Sequence, residues 1–372
     1  MALRVSLLSL PQELIDEFIS YVRDTNDARN CALVSRSWTK PAQRALFRDI
    51  HIPSSESDVI FCPRLEETLR TSPRLLQYVR FLIYPRNRND DKMDQYLERL
   101  CSLPFTHLQS VFVLHICPTT PASAAALQQL FSLSCIRRIC MYCIFDTSTV
   151  LDQMMESFSP QLRHLQLSCA SYSPPVRALQ RRWQEPVSLE SLKINHTKLL
   201  GQWLECEPCP LDCSRLTALS VRKELPAQHW PQMARMFQIL ESLDFTYERD
   251  RDVDLAQLPN LLNLRLKLEF TSSVNRDRSL SVALQMLATL TSSSHIQQIA
   301  LAFLDGVFDQ YCCQQLDVAI VNLSMLHLPV VMIEKEIANH EEQVLCFPHL
   351  TSKNLLFPAD YDDWLQTKHC TL

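Results

Sequence analysis

Glycine is almost missing: the 372 residues contain only Gly201 and Gly306, against a usual share of about 7%. That scarcity excludes a good deal of chemistry. With each glycine standing alone there is no phosphate-cradling loop, no dinucleotide fingerprint and no Gly-x-Ser-x-Gly elbow. Turns must be made instead by the 21 prolines and by Ser, Asp and Asn. The longest greasy stretch, Ala319 to Ile333, is interrupted by Asn322, His327 and Pro329 and is too short to span a bilayer, so no membrane partner is expected. Charge of one sign is also lacking. A net charge of -5 and a pI near 6.1 give no global case for nucleic-acid binding.

What is present points to a folded chain, with 47% hydrophobic and 21% charged residues. Its length suits two or three ordinary domains or one elongated repeat array. The first ten residues run straight into an amphipathic helix with no secretory core and no small-residue cleavage site. An intracellular location, cytoplasmic or nuclear, follows, and the 15 cysteines read as reduced, buried side chains. Cys206, Cys209 and Cys213 have metal-like spacing, with His196 and His229 within reach in sequence. Zinc needs four ligands, and the fourth would have to come from a distance, so no metal and no cofactor is expected. Cys140 and Cys143 fall in a predicted strand and project to opposite faces.

The N-terminal segment carries three helices. Pro11 fits a first helical position, Glu13 suits the first turn, and Leu14, Ile15, Phe18, Ile19 and Val22 form one stripe. Asp24-Thr25-Asn26 breaks the pattern and offers a cap for a second helix with Cys31, Ala32, Leu33 and Val34; Ser35 offers one for a third with Trp38, Ala42, Ala45 and Leu46. So small a unit leans on another domain or a partner. Periodicity alone leaves open whether Leu14, Ile15 and Trp38 are core or docking residues.

Three motifs decide between them: Leu10-Pro11-Gln12-Glu13-Leu14-Ile15, then Leu33-Val34-Ser35-Arg36-Ser37-Trp38, then Ala45-Leu46-Phe47-Arg48. In order and spacing they resemble the F-box, the helical module that docks proteins onto the Skp-type adaptor of cullin ubiquitin ligases. The resemblance covers about residues 8 to 50 and implies adaptor contacts by Leu10, Pro11, Leu14, Ile15, Leu33, Val34 and Trp38.

After residue 50 one phrase recurs, apolar-x-x-apolar-x-apolar. It begins at Leu76, Leu108, Ile136, Leu162, Leu189, Leu216, Leu240, Leu261 and Ile296, with spacings of 21 to 35 residues by subtraction. Helix-compatible stretches intervene: Met93 to Leu103, Ala122 to Leu133, Val150 to Phe158, Pro226 to Ile239 and Leu280 to Leu290. A strand–helix unit cannot bury its own apolar edge, so neighbours must stack as a curved α/β solenoid with a parallel sheet on one face and helices on the other. Phe47 to Ile52 is expected to add a joining strand, with Pro53 to Ser57 as the connection. The period resembles that of leucine-rich-repeat substrate domains. That family's asparagine is absent from the later eight copies, where Ile116, Ile144 and Ala170 stand at the first three positions.

The organisation expected is a three-helix F-box at 1–50, a leucine-rich-repeat-like solenoid at 51–350 and a cap or tail at 351–372. The resemblance implies a substrate receptor of a Skp–cullin–F-box ubiquitin ligase that is not itself an enzyme; the competing reading is a scaffold with no ubiquitin-transfer role. Alternate strand residues should line an open face. Its basic members Arg138, Lys193, Arg222, Arg265 and Lys267 and its aromatic members Tyr78, Phe112 and Tyr142 are the expected contacts for a protein substrate with an apolar anchor and an acidic or phosphorylated stretch. The alternative is a solvated strand surface with random charges.

Overall fold

The computed structural model describes residues 10–22, 24–52, 61–85, 91–116, 121–143, 148–169, 186–195, 211–222, 230–246, 253–269, 273–304, 310–323, 328–334 and 346–359. The chain divides into two compact units, Met1–Ala178 and Leu179–Leu372. The expected connection at 53–57 and residues 360–372 of the expected C-terminal cap or tail lie outside the described residues; residues 351–359 of that cap end a helix and form a strand paired with Val330–Glu334.

The first unit opens with helices α1 (Gln12–Ser20), α2 (Thr25–Val34) and α3 (Arg36–Arg48). Asp24 caps α2 as expected, its carboxylate accepting from the N–H groups of Asn26 and Asp27. Ser35 sits at the start of α3 without capping it, because its hydroxyl is hydrogen-bonded to that of Ser37 at 2.7 Å. Pro11 occupies the cap position, one residue before α1. Helix α3 runs directly into β1 (Asp49–His51), so the helical module and the first repeat share one chain segment without a linker.

Strands β1, β2 (Phe81–Pro85), β3 (Ser110–Ile116), β4 (Arg138–Cys143) and β5 (His164–Cys169) then pair in parallel, each with the next in chain order. Between them run α4 (Phe61–Thr71), α5 (Asp91–Cys101), α6 (Pro121–Phe131) and α7 (Ser148–Glu156). Their buried residues recur at helical spacing, as with Leu127, Leu130 and Phe131 of α6.

The second unit repeats the plan. Strands β7 (Ser191–Ile194), β9 (Ala218–Arg222), β10 (Ser242–Thr246), β11 (Asn263–Glu269), β12 (Gln298–Leu304), β13 (Val330–Glu334) and β14 (Leu356–Ala359) form a parallel sheet in that order, with β6 (Val187–Ser188) and β8 (Leu211–Asp212) as a separate pair. Its helices are α8 (Trp230–Met236), α9 (Ser273–Ala288), α10 (Gln310–Val321) and α11 (Pro348–Ser352). The turn after α11 uses Asn354 at φ 53°, the one left-handed non-glycine among the described residues. In a chain with so little glycine, asparagine is the residue that tolerates this conformation best.

The mixed α/β fold with parallel strands matches the sequence pattern, and the structure corrects its details. In the first copy the inward strand residues are Leu82 and Tyr84, which pair with Val111 and Val113; Val79 is buried but precedes the strand, and Phe81 is half-buried. The phrase therefore begins at Val79, three residues later than Leu76. Two further copies flank the nine. Phe47-x-x-Ile50-x-Ile52 feeds β1, and Leu328-x-x-Val331-x-Ile333 feeds β13, with Ile50, Ile52, Val331 and Ile333 all buried. Each inward side chain is worth up to about 1.5–3 kcal/mol of burial, which is why the phrase persists while the intervening residues vary.

Candidate functional site

The helical module buries one side of its apolar stripe and leaves the other in solvent. Ile15, Ile19, Trp38 and Ala42 form a small core, flanked by half-buried Leu10, Cys31, Ala32 and Ala45. Phe18 meets Trp38 edge to face at 5.7 Å. The stripe of α1 is wider than the face that two short helices can cover, so Leu14 stays 50% exposed and Phe18 58%. At the end of α2, Leu33 is 84% exposed and Val34 51%. The Gln12 side chain donates to the Ser37 carbonyl at 3.1 Å, tying the start of α1 to the start of α3. Since α3 begins two residues after α2 ends at Val34, that bond sets the first turn of α1, which carries Leu14, at the end of the module where α2 stops.

Of the seven expected adaptor residues, Pro11, Leu14, Leu33 and Val34 are thus exposed and Leu10 is half-buried. Ile15 and Trp38 are core in this structure, because both point into the space closed by Ala42, and they support the surface from beneath. Phe18 and Tyr21 are exposed aromatic residues that the sequence pattern assigned to the buried stripe or passed over. A stripe with four members, Leu14, Ile15, Phe18 and Ile19, on a nine-residue helix was the available signal.

The expected substrate residues fall in both units. In the first, Arg138 and Phe112 are half-buried on β4 and β3 and Tyr142 is exposed on β4; Tyr78 lies in the 3-10 turn Pro73–Tyr78 rather than on a strand. In the second, Lys193 is half-buried, and Arg222 ends β9 with a side chain outside the described set. Arg265 and Lys267 are buried, contrary to their expected place on an open face. The register explains their fate. It sets Asp244 between Ser220 and Arg265 on adjacent strands, and Asp244 Oδ2 then accepts from Lys267 Nζ at 2.7 Å, Ser220 Oγ at 2.9 Å and Arg265 Nη1 at 3.4 Å.

Burial pushes the Asp244 carboxyl up, but Lys267 and Arg265 beside it outweigh that and hold it below the ordinary carboxylate value. Lys267 is lowered, first by burial and then by its cationic neighbours Arg265 and Lys193, against the pull of Asp244. Two cations facing one anion in a buried site account for both directions. These side chains are buried against one another and are not displayed to a partner.

Basic surface does exist in the first unit. A groove of about 310 Å³ is lined by Arg44, Arg48, Tyr78, Arg80, Phe81 and Gln109. The Arg48 guanidinium lies over the Phe81 ring at 5.6 Å, and Arg80 Nη1 donates to the His107 carbonyl at 3.0 Å. Among the described residues no group of three or more His, Cys, Asp or Glu could hold a metal ion. Cys213 of the cysteine-rich segment is buried, while Cys206 and Cys209 lie outside the described residues. No described helix is long and apolar enough to cross a membrane.

No protein-family signature matches the chain. Part of it is similar to an F-box protein, F-box protein COS111 of Kluyveromyces lactis, at 32% identity over 80 residues. Those residues are 22% of this chain and 10% of that relative, so the chain spans about a tenth of the relative's length. The likeness is to an F-box protein, and it is confined to those 80 residues.

Proposed function

We propose that this chain is the substrate-recognition subunit of a Skp–cullin–F-box ubiquitin ligase, working inside the cell in cytoplasm or nucleus. Residues 1–50 act as the F-box and take the Skp-type adaptor, and through it the cullin. Leu14, Leu33 and Val34, with Pro11 and Leu10 beside them, form the contact surface, and Ile15 and Trp38 keep the helices in place beneath it. The stacked strand–helix units act as a leucine-rich-repeat-like receptor for a target protein. The chain breaks and forms no bond itself; it raises the rate of ubiquitin transfer by holding the target near the conjugating enzyme.

The observation that carries this reading is the exposure of Leu14, Leu33 and Val34 at one end of a capped three-helix module, in a chain partly similar to an F-box protein. Apolar side chains left in water at that density belong to an interface. Affinity purification of the tagged chain from cells tests it. Adaptor and cullin should appear in the bound fraction and disappear with Leu33→Asp. Their absence from the fraction bound by the parent chain would refute the ligase role and leave a repeat-domain scaffold.

A further inference from the structure

Parallel pairing in the first unit brings together residues about 30 positions apart at the leading edge of the sheet. Arg80 N–H donates to the Arg48 carbonyl at 2.8 Å, Gln109 N–H to Arg80 at 2.8 Å, Arg137 N–H to Gln109 at 2.9 Å and Arg163 N–H to Arg137 at 2.8 Å. Arg48, Arg80, Gln109, Arg137 and Arg163 therefore stand in one row, one per strand, and four of the five are arginine. The equivalent row of the second unit is Glu190, Thr217, Glu241, Leu262 and Gln297, without a single base. Neighbouring strands lie about 4.8 Å apart, so the arginine row extends over roughly 19 Å.

The row is accessible. Arg48, Gln109 and Arg137 are exposed, and Arg80 and Arg163 half-buried. At its Arg48 and Arg80 end lies the groove of about 310 Å³, where Arg44 adds a third guanidinium and Tyr78 and Phe81 supply two rings. Among the described residues, the Asp16 carboxylate lies 3.5 Å from Arg44 and that of Asp49 3.6 Å from Arg48. Both pairs are open to solvent and so of the weak, screened kind that a doubly charged group displaces.

We propose that this edge of the first unit captures a phosphorylated acidic peptide segment of the target protein, its phosphate in the groove among Arg44, Arg48 and Arg80 and its following acidic residues along Arg137 and Arg163. Arginine forks suit phosphate and carboxylate oxygens, and no cation in the row is a lysine. Roughly 19 Å corresponds to about six residues of extended peptide. A nucleic acid fits less well, since a chain of net charge -5 repels a long polyanion beyond the local patch. The proposal deepens the receptor reading by naming the chemistry of its target, but the binding event needs neither adaptor nor cullin, so the two can fail separately.

Fluorescence anisotropy with the purified full chain provides the test, using a short labelled peptide of phosphoserine followed by glutamates, its unphosphorylated twin and a labelled single-stranded oligonucleotide. The parent should prefer the phosphopeptide over the twin by at least about tenfold at low salt, with the preference shrinking as salt rises. Arg48→Gln with Arg80→Gln should abolish the preference, and Arg235→Gln, an exposed arginine of α8 in the second unit, should leave it intact. Should the first pair melt early by circular dichroism, Arg44→Gln with Arg137→Gln carries the same expectation. Folded variants that keep the parental preference, or tighter binding of the oligonucleotide than of the phosphopeptide, would overturn the proposal.

Discussion

Replacing Leu33 by Asp separates an exposed docking residue from a core one. Fully burying a leucine is worth about 1.5–3 kcal/mol. With 84% of Leu33 in water, roughly 1.3–2.5 kcal/mol of that remains for a partner to claim, and about 16% is already used inside the module. Loss of it should weaken adaptor binding by about one to two orders of magnitude, with the unfolding midpoint unchanged. The contrast is Ile15→Ala, which empties a site in the core with Ile19, Trp38 and Ala42 and should destabilise the module by about 2–5 kcal/mol. Equilibrium binding to purified adaptor, measured beside urea unfolding of both variants, reads the two effects. If Leu33→Asp unfolds the module, or binds the adaptor as the parent does, the assignment of this surface is wrong.

Asp244→Asn should destabilise the second unit by about 3–5 kcal/mol in urea titrations, because it leaves Lys267 and Arg265 buried without their anion. Asp244 has a folded pKa below its unfolded value, so its contribution is present above an unfolded value of about 3.9 and is lost as pH falls through the lowered folded value; the acid limb of stability should flatten in Asp244→Asn. Asp317 is fully buried and accepts from the backbone N–H groups of His349 and Leu350, both at 2.8 Å, at the start of α11. Asp317→Ala should therefore cost about 1.5–3 kcal/mol by the same measurement. Burial raises the Cys101 thiol to about 12, so mass spectrometry after brief alkylation of the native chain at neutral pH should find Cys101 unmodified. A chelator should leave the melting temperature unchanged; loss of bound zinc together with folding on Cys209→Ser would make residues 206–213 a metal loop.

Local chemistry made much of this protein legible from its residues. Period-two alternation places Val111 and Val113, or Leu264 and Leu266, on one face of a strand whatever surrounds them, and Asp24 caps α2 through its own neighbours. Such features need only a few consecutive residues. Tertiary pairing decided the rest. Leu76 to Tyr84 contains two overlapping copies of the same phrase, and only the pairing of Leu82 with Val111 chooses between them. Ile15 and Leu14 are adjacent members of one stripe, yet α3 covers the first and leaves the second in water. Arg265 and Lys267 carry the same charge as Arg48 and Arg80, but one pair is locked onto Asp244 and the other lines an open groove. The members of the arginine row hold one place in the repeat, next after the first apolar residue of each phrase, but they lie about 30 residues apart and meet only because parallel strands align them in register; side-chain type can be read along a chain, but cover and company are properties of the fold.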